Sequence, residues 1–225
     1  MPSASPPRAA PEAIPETPVT MIPGPNEIFL CRQCGHPVAR QTLMSGNTFG
    51  AAYWSDGKME APMLPEFPAA TRCRQCHAFF FFEDAASPDT DSAPSYSDDN
   101  VAANLDWQEC RAALLESAAH TYSQENYLRV RLWWSANDRI RHPGAVAPLP
   151  CPDSVFRDNL ESFIKKLPGT EPTEALARAE ALRELGRFAE AEEALRVELP
   201  DNYAFARQKI SDLVRRRETS VARMS

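Results

Sequence analysis

An α+β fold is expected: a small β ribbon followed by an all-α helical bundle. Three observations predict it. The tetrapeptide CRQC occurs twice, at residues 31–34 and 73–76, and the stretch between the copies reads as short strands around an Asp-Gly turn. From Asp106 onward the apolar residues instead recur with a period near 3.6. Between these halves lies EDAASPDTDSAPSYSDDN, which has no Lys or Arg and little to bury.

Taken in order, residues 1–26 are expected to be a disordered Pro-rich tail. Prolines at 2, 6, 7, 11, 15, 18, 23 and 25 remove backbone donors and favour extended, solvated chain. Arg8 is its only basic side chain and no apolar run follows, so it is not read as a secretory signal. The zinc ribbon is assigned to 27–84, an acidic flexible linker to 85–104, the helical bundle to 105–218 and a C-terminal tail to 219–225. The formal net charge is −7, and Glu83, Asp84, Asp89, Asp91, Asp98 and Asp99 supply six of those charges in or beside the linker. Elsewhere acids and bases nearly balance, so no basic face announces a nucleic-acid partner. No apolar run approaches the ~20 residues that span a bilayer. A cytoplasmic location with no membrane partner is expected.

In a reducing compartment, two Cys-x-x-Cys turns read as metal ligands rather than disulfides. Two intervening residues let a tight turn aim both sulfurs at one point. Two such knuckles then complete a tetrahedral four-thiolate shell, the usual closed site for one structural zinc. Cys31, Cys34, Cys73 and Cys76 are therefore the expected ligands. Arg32 and Arg74, one inside each knuckle, are placed to offset the −2 charge of the filled shell from outside it. His36 and His77 adjoin the ligands and are read as neighbours rather than ligands. Between the knuckles, NTFGAAYWSDGKMEAPML has aromatics on both sides of Asp56-Gly57, a hairpin signal because both turn residues tolerate positive φ. A ribbon this small buries little apolar area, so a metal staple is expected.

Rival readings of the knuckles fit less well. Cys73-Arg74-Gln75-Cys76-His77 matches c-type haem attachment in form but leaves the upstream pair unused. A thioredoxin-like pair would open a helix, whereas Gly35 and Pro37 follow one pair and a Phe run the other. Iron in a rubredoxin-like layout is the strongest alternative, although the gap is long and no Gly follows the second knuckle. In the strand AFFFFE, Phe79 and Phe81 face one way and Phe80 and Phe82 the other. One pair covers the ribbon core and the other meets the helices or a partner; Phe80 and Phe82 are taken as the possible interaction surface.

The helical half opens at Asp106, which forms a capping box with Glu109. Trp107, Cys110, Leu114 and Ala118 share one stripe. Ser123 is expected to cap the next helix, SQENYLRVRLWWSANDRIRH, which His142-Pro143-Gly144 ends. Asp153 opens a third helix stopped at Pro168-Gly169, and Pro172 sits in the first turn of a fourth, where a missing N–H costs nothing. Phe188 to Leu199 forms a fifth, and Asp201 caps the last. Arg129, Arg131, Arg139 and Arg141 around Trp133-Trp134 allow base stacking, but buried Trp with paired Arg is the better reading. No nucleophile elbow, phosphate-cradling Gly loop or His/Glu metal-hydrolase motif is present, and no catalytic residue is assigned.

Within the helical half, ALARAEALRELGRFAEAEEAL resembles a tetratricopeptide helix pair through Ala179, Gly186, Phe188 and Ala191. No second copy follows at the 34-residue period, so a single repeat-like hairpin is implied. The whole layout resembles a family of uncharacterised bacterial proteins. That likeness is carried by the paired Cys turns, NTFG…YWSDGK…MLP between them, and the later LWWSANDRIR and LRELGRF. It implies this architecture and a bacterial cytoplasmic origin, and brings no activity with it. The expected function is a non-enzymatic zinc-binding protein-interaction or adaptor module with an unidentified protein partner. The alternatives are a nucleic-acid-binding zinc ribbon using Arg32, Arg40, Arg72 and Arg74, and an iron electron carrier.

Overall fold

The computed structural model describes residues 21–88, 100–144, 149–167, 169 and 171–224. Residues 1–20 of the tail expected over 1–26, the middle of the linker (89–99) and Pro168 of the expected helix stop lie outside them.

Small antiparallel sheets fill the N-terminal part. β2 (Glu27–Leu30) and β3 (Pro37–Arg40) pair in register from Glu27↔Arg40 to Leu30↔Pro37, and the first CRQC turn connects them. β7 (Ala70–Arg72) and β8 (Phe79–Phe81) pair in the same way around the second. The chain has thus built one hairpin twice, each with its cysteines at the tip. Between them β1 (Ile22–Pro23) pairs with β4 (Leu43–Ser45), so part of the stretch expected to be a tail is a paired strand. β5 (Ala52–Tyr53) and β6 (Met59–Glu60) form the Asp-Gly hairpin, but only Gly57 (φ +81°) is left-handed; Asp56 is not, because the turn runs from Trp54 to Gly57, whose N–H donates to Trp54 O (2.9 Å).

The Phe run divides as strand alternation dictates, with one correction. Phe80 and Phe82 are only 5 % and 2 % exposed, packed with Phe29, Val38, Cys31 and Cys73. They are a core rather than an interaction surface, because the two hairpins close on each other and need an apolar filling. Phe81 points the other way, 6.0 Å from the ring of Tyr127, into a cluster with Trp107, Leu128 and Leu132. The two halves of the chain therefore share one apolar cluster. Both ends of the expected linker also hold to the strands: Leu30 N–H donates to Ala86 O, and Ala102 N–H to Ala39 O.

Among the described residues six α-helices make the C-terminal part: α1 (Trp107–Leu115), α2 (Tyr122–Arg141), α3 (Asp153–Lys166), α4 (Pro172–Glu184), α5 (Phe188–Ala194) and α6 (Ala204–Arg215). The Asp106–Glu109 capping box is present. α2 is capped by Thr121 rather than Ser123: the Thr121 hydroxyl accepts from Gln124 N–H, which puts Ser123 inside the first turn. Pro172 occupies the first turn of α4, and Gly186 at φ +78° reverses the chain between α4 and α5. Asp201 makes no side-chain cap and instead begins a 3₁₀ turn, Asp201–Tyr203, leading into α6. Buried Ala179 and Ala191 let α4 and α5 approach closely, around a core with Trp133, Leu160, Leu182 and Ile210. Among the described residues no helix is long and apolar enough to cross a membrane.

The tail expected over 219–225 is corrected as well. Ser55 N–H donates to Ala222 O, Ala222 N–H to Ser55 Oγ, and Met224 N–H to Tyr53 O, so residues 222–224 run along β5. Val221 is buried beneath them. An edge strand and a nearby chain end satisfy each other's backbone groups.

Candidate metal centre

Each knuckle is a hydrogen-bonded loop that its flanking strands hold shut. Cys31 N–H donates to His36 O (2.9 Å) and Gly35 N–H to Cys31 O (2.8 Å). In the second copy Cys73 N–H donates to Ala78 O (2.9 Å) and His77 N–H to Cys73 O (2.8 Å). The loop needs a left-handed residue after its second cysteine. Gly35 meets this at φ +70° without cost, whereas His77 must adopt φ 61°, helped by Arg72 Nε donating to its carbonyl (3.0 Å).

The loops bring all four sulfurs together, each within 4.8 Å of the others. Cys31 Sγ lies 3.6 Å from Cys76 Sγ and Cys34 Sγ 3.7 Å from Cys73 Sγ. Disulfide sulfurs sit about 2.05 Å apart, so these are four free thiols. A tetrahedron with metal–sulfur bonds of about 2.3 Å has edges of about 3.8 Å. Two opposite edges of the donor set already have that length, and the other sulfur pairs lie within 4.8 Å, so the set fits a four-thiolate metal ion. Before a metal binds, burial pushes the Cys31 thiol up to about 12, while the Ala78 backbone N–H draws Cys76 down to about 7. A metal must displace the Cys31 proton, which makes its affinity fall with acid. The Phe29–Phe82 and Phe80–Phe82 ring pairs, 4.8 and 5.5 Å apart, pack beside the sulfurs.

Around this centre, Arg32 and Arg74 are exposed and belong to no ion pair among the described residues. His36 Nε2 meets Asn100 Oδ1 (3.1 Å) and His77 is exposed, so neither joins the sulfurs. Arg40 pairs with Glu27 (2.6 Å) and covers the Phe29 and Phe82 rings, and Arg72 lies over Phe79. Cys110 and Cys151 stand apart; burial pushes Cys110 up to about 12 and Cys151 to about 11.

A second group, Glu60, Asp138 and His142, also brings three ligand types together. There, however, Lys58 Nζ already lies 2.6 Å from Asp138 and 3.0 Å from Glu60, so an ammonium holds the cation's place. Burial alone would raise Glu60; its hydrogen bonds to His142 and Lys58, with the Lys58 charge, hold it at about 2.

Sequence reading missed a third cluster. The Asp56 side chain, chosen by its turn, enters the helical half with no exposure and pairs with Arg141, also unexposed. Asp56 Oδ2 further accepts from Asn137 Nδ2 (3.0 Å), and its carbonyl accepts from Trp134 Nε1 (3.0 Å). Asn137 Nδ2 also reaches Glu184 Oε2 (3.1 Å), which accepts from Trp133 Nε1 (3.0 Å). Next to it Arg183 grips Glu180 with two bonds (2.5 and 2.8 Å) and donates to the carbonyls of Glu218 and Ser220. YWSDGK, LWWSANDRIR and LRELGRF thus converge on one sealed junction. The available signal was on α4, where Glu180, Arg183 and Glu184 fall at i, i+3 and i+4 on the face carrying Leu176 and Ala179.

Comparison with known proteins finds no matching family model, no matching curated protein and no matching solved structure.

Proposed function

We propose that this chain is a non-enzymatic zinc protein in which a zinc ribbon and a tetratricopeptide-like helical module form an adaptor for another protein in the cytoplasm. The observation that carries the reading is the four-sulfur cluster, whose edges of 3.6 and 3.7 Å suit zinc and whose four thiolates fill a tetrahedral shell. A filled shell leaves the metal no position for water or substrate, so its task is to hold the fold. The other concentration of polar side chains, around Asp56, Arg141 and Glu184, is sealed from solvent and suits a structural junction rather than a reaction. Nucleic-acid binding loses the support of Arg40 and Arg72, which are committed to contacts within the chain, as are Arg129, Arg131 and Arg141, and keeps only the exposed Arg32 and Arg74.

The test is elemental analysis of protein purified from its native host, with co-purifying proteins identified in the same sample. One zinc per chain, a colourless preparation and a protein partner in stoichiometric yield are expected. A red, iron-loaded sample would replace the zinc reading with electron transfer, and metal-dependent turnover of a small molecule would overturn the non-enzymatic one.

A further inference from the structure

The sealed junction carries more negative charge than positive. Three carboxylates, Asp56, Glu180 and Glu184, meet two guanidiniums, Arg141 and Arg183, and none of the five side chains is more than 1 % exposed. They come from three parts of the chain: the turn between β5 and β6, helix α2 and helix α4. Among the described residues, the cations that flank these five side chains are already engaged. On the Arg141 side, Lys58 and His142 are occupied by Asp138 and Glu60. On the Arg183 side, the charged neighbour is Glu218, whose carbonyl accepts from the guanidinium. An uncompensated charge at such depth costs several kcal/mol, and a group so placed takes up a proton instead.

Geometry selects which carboxylate takes it. Asp56 is held by Arg141 and Asn137, and Glu180 has both oxygens on Arg183. Glu184 has only neutral close donors, Trp133 Nε1 and Asn137 Nδ2, and its nearest guanidinium nitrogen is 3.8 Å away. It is also the last residue of α4, where the helix dipole opposes negative charge. We propose that Glu184 is a proton-holding latch: protonated, it lets the β5–β6 hairpin dock on α2 and α4, and losing its proton in alkali loosens that docking. Asn137 is the mechanical link, since its one amide nitrogen bridges Asp56 and Glu184. Burial first, then the charges of Glu180 and Asp56, raise Glu184 well above the usual carboxylate range. The sign follows. A folded-state value above the unfolded one gives a contribution complete below the ordinary carboxylate range and lost as pH rises through the folded value. The inference holds whichever metal the four sulfurs bind.

The experiment is urea unfolding of the full-length chain from pH 5 to 9, for wild type, Glu184→Gln and Asp56→Asn. In wild type the folding equilibrium constant is expected to fall about tenfold per pH unit relative to Glu184→Gln, until the proton is lost. Asp56→Asn balances the charges at two against two, so it flattens the same slope while keeping Glu184. Hydrogen exchange reads the latch directly: amides of the β5–β6 hairpin gain exchange in alkali in wild type beyond that in Glu184→Gln. Equal pH slopes in all three proteins would overturn the proposal. If Glu184→Gln does not fold, Asp56→Asn and the infrared band of a protonated carboxyl in wild type at neutral pH decide it. Absence of that band, or an unflattened slope in Asp56→Asn, would refute it.

Discussion

Asp56 shows how one side chain can serve two purposes. Its backbone suits the hairpin turn beside Gly57, and that role is visible from the dipeptide alone. Its carboxylate instead passes into the helices and pairs with Arg141. Asp56→Ala should therefore cost roughly 1–3 kcal/mol in urea unfolding, the range for buried donors that lose an acceptor, because Asn137 and Arg141 lose Asp56 while Asp138 still accepts from Arg141 at 2.6 Å. A cost below about 1 kcal/mol would mean that the pair is worth no more than a surface bridge. His77 makes the complementary point. The two CRQC copies demand the same left-handed residue, and only the first has the glycine that adopts it freely.

Among the elements, the repeated hairpins and the segment Ala222–Met224 do the organising. β2–β3 and β7–β8 are each a short ladder ending in a Cys turn, and each is too small to persist alone. They become stable by packing Phe29, Phe80 and Phe82 between them and by sharing the sulfur centre. The segment after α6 is just as integral, since it covers the β5 edge and supplies carbonyls to buried Arg183. Deleting residues 219–225 should destabilise the chain by about 2–4 kcal/mol, from the lost burial of Val221 and the unsatisfied donors left behind. Thermal unfolding of the truncated chain checks this, and an unchanged midpoint would show that the strand is merely laid on the surface. Helices α4 and α5 were legible in outline because Gly186 and the small Ala179 and Ala191 mark a tight helical hairpin. The start of α2 was not, since Ser123 is the better capping type by rank, yet the helix begins after Thr121, where Gln124 three residues on accepts from His120 N–H (2.7 Å).

Across the whole molecule, the two halves are joined by an apolar cluster and by the sealed charged junction, yet they lie unequally close to the four-sulfur cluster. The α1–α2 cluster includes Ala70 and Phe81 from the strands, whereas the core of α3 to α6 contains no strand residue. Removing the metal with a strong chelator should therefore abolish hydrogen-exchange protection over residues 27–82 and weaken it in α1. Protection at Leu160, Leu182 and Ile210 should persist, along with most of the helical circular dichroism. A single transition that erases every protected amide together would show instead that the junction transmits the loss to all six helices.

Local spacing and local backbone demands were enough to mark the four clustering cysteines, the change from strands to helices, and the Asp-Gly and Gly186 turns. Only the tertiary structure decided that Phe80 and Phe82 face inward, that residues 222–224 complete a strand edge, and that Asp56, Arg141 and Glu184 meet. Those outcomes rest on groups more than a hundred positions apart in some cases and dozens in others, and burial assigns partners to charges that local sequence shows only as polar surface.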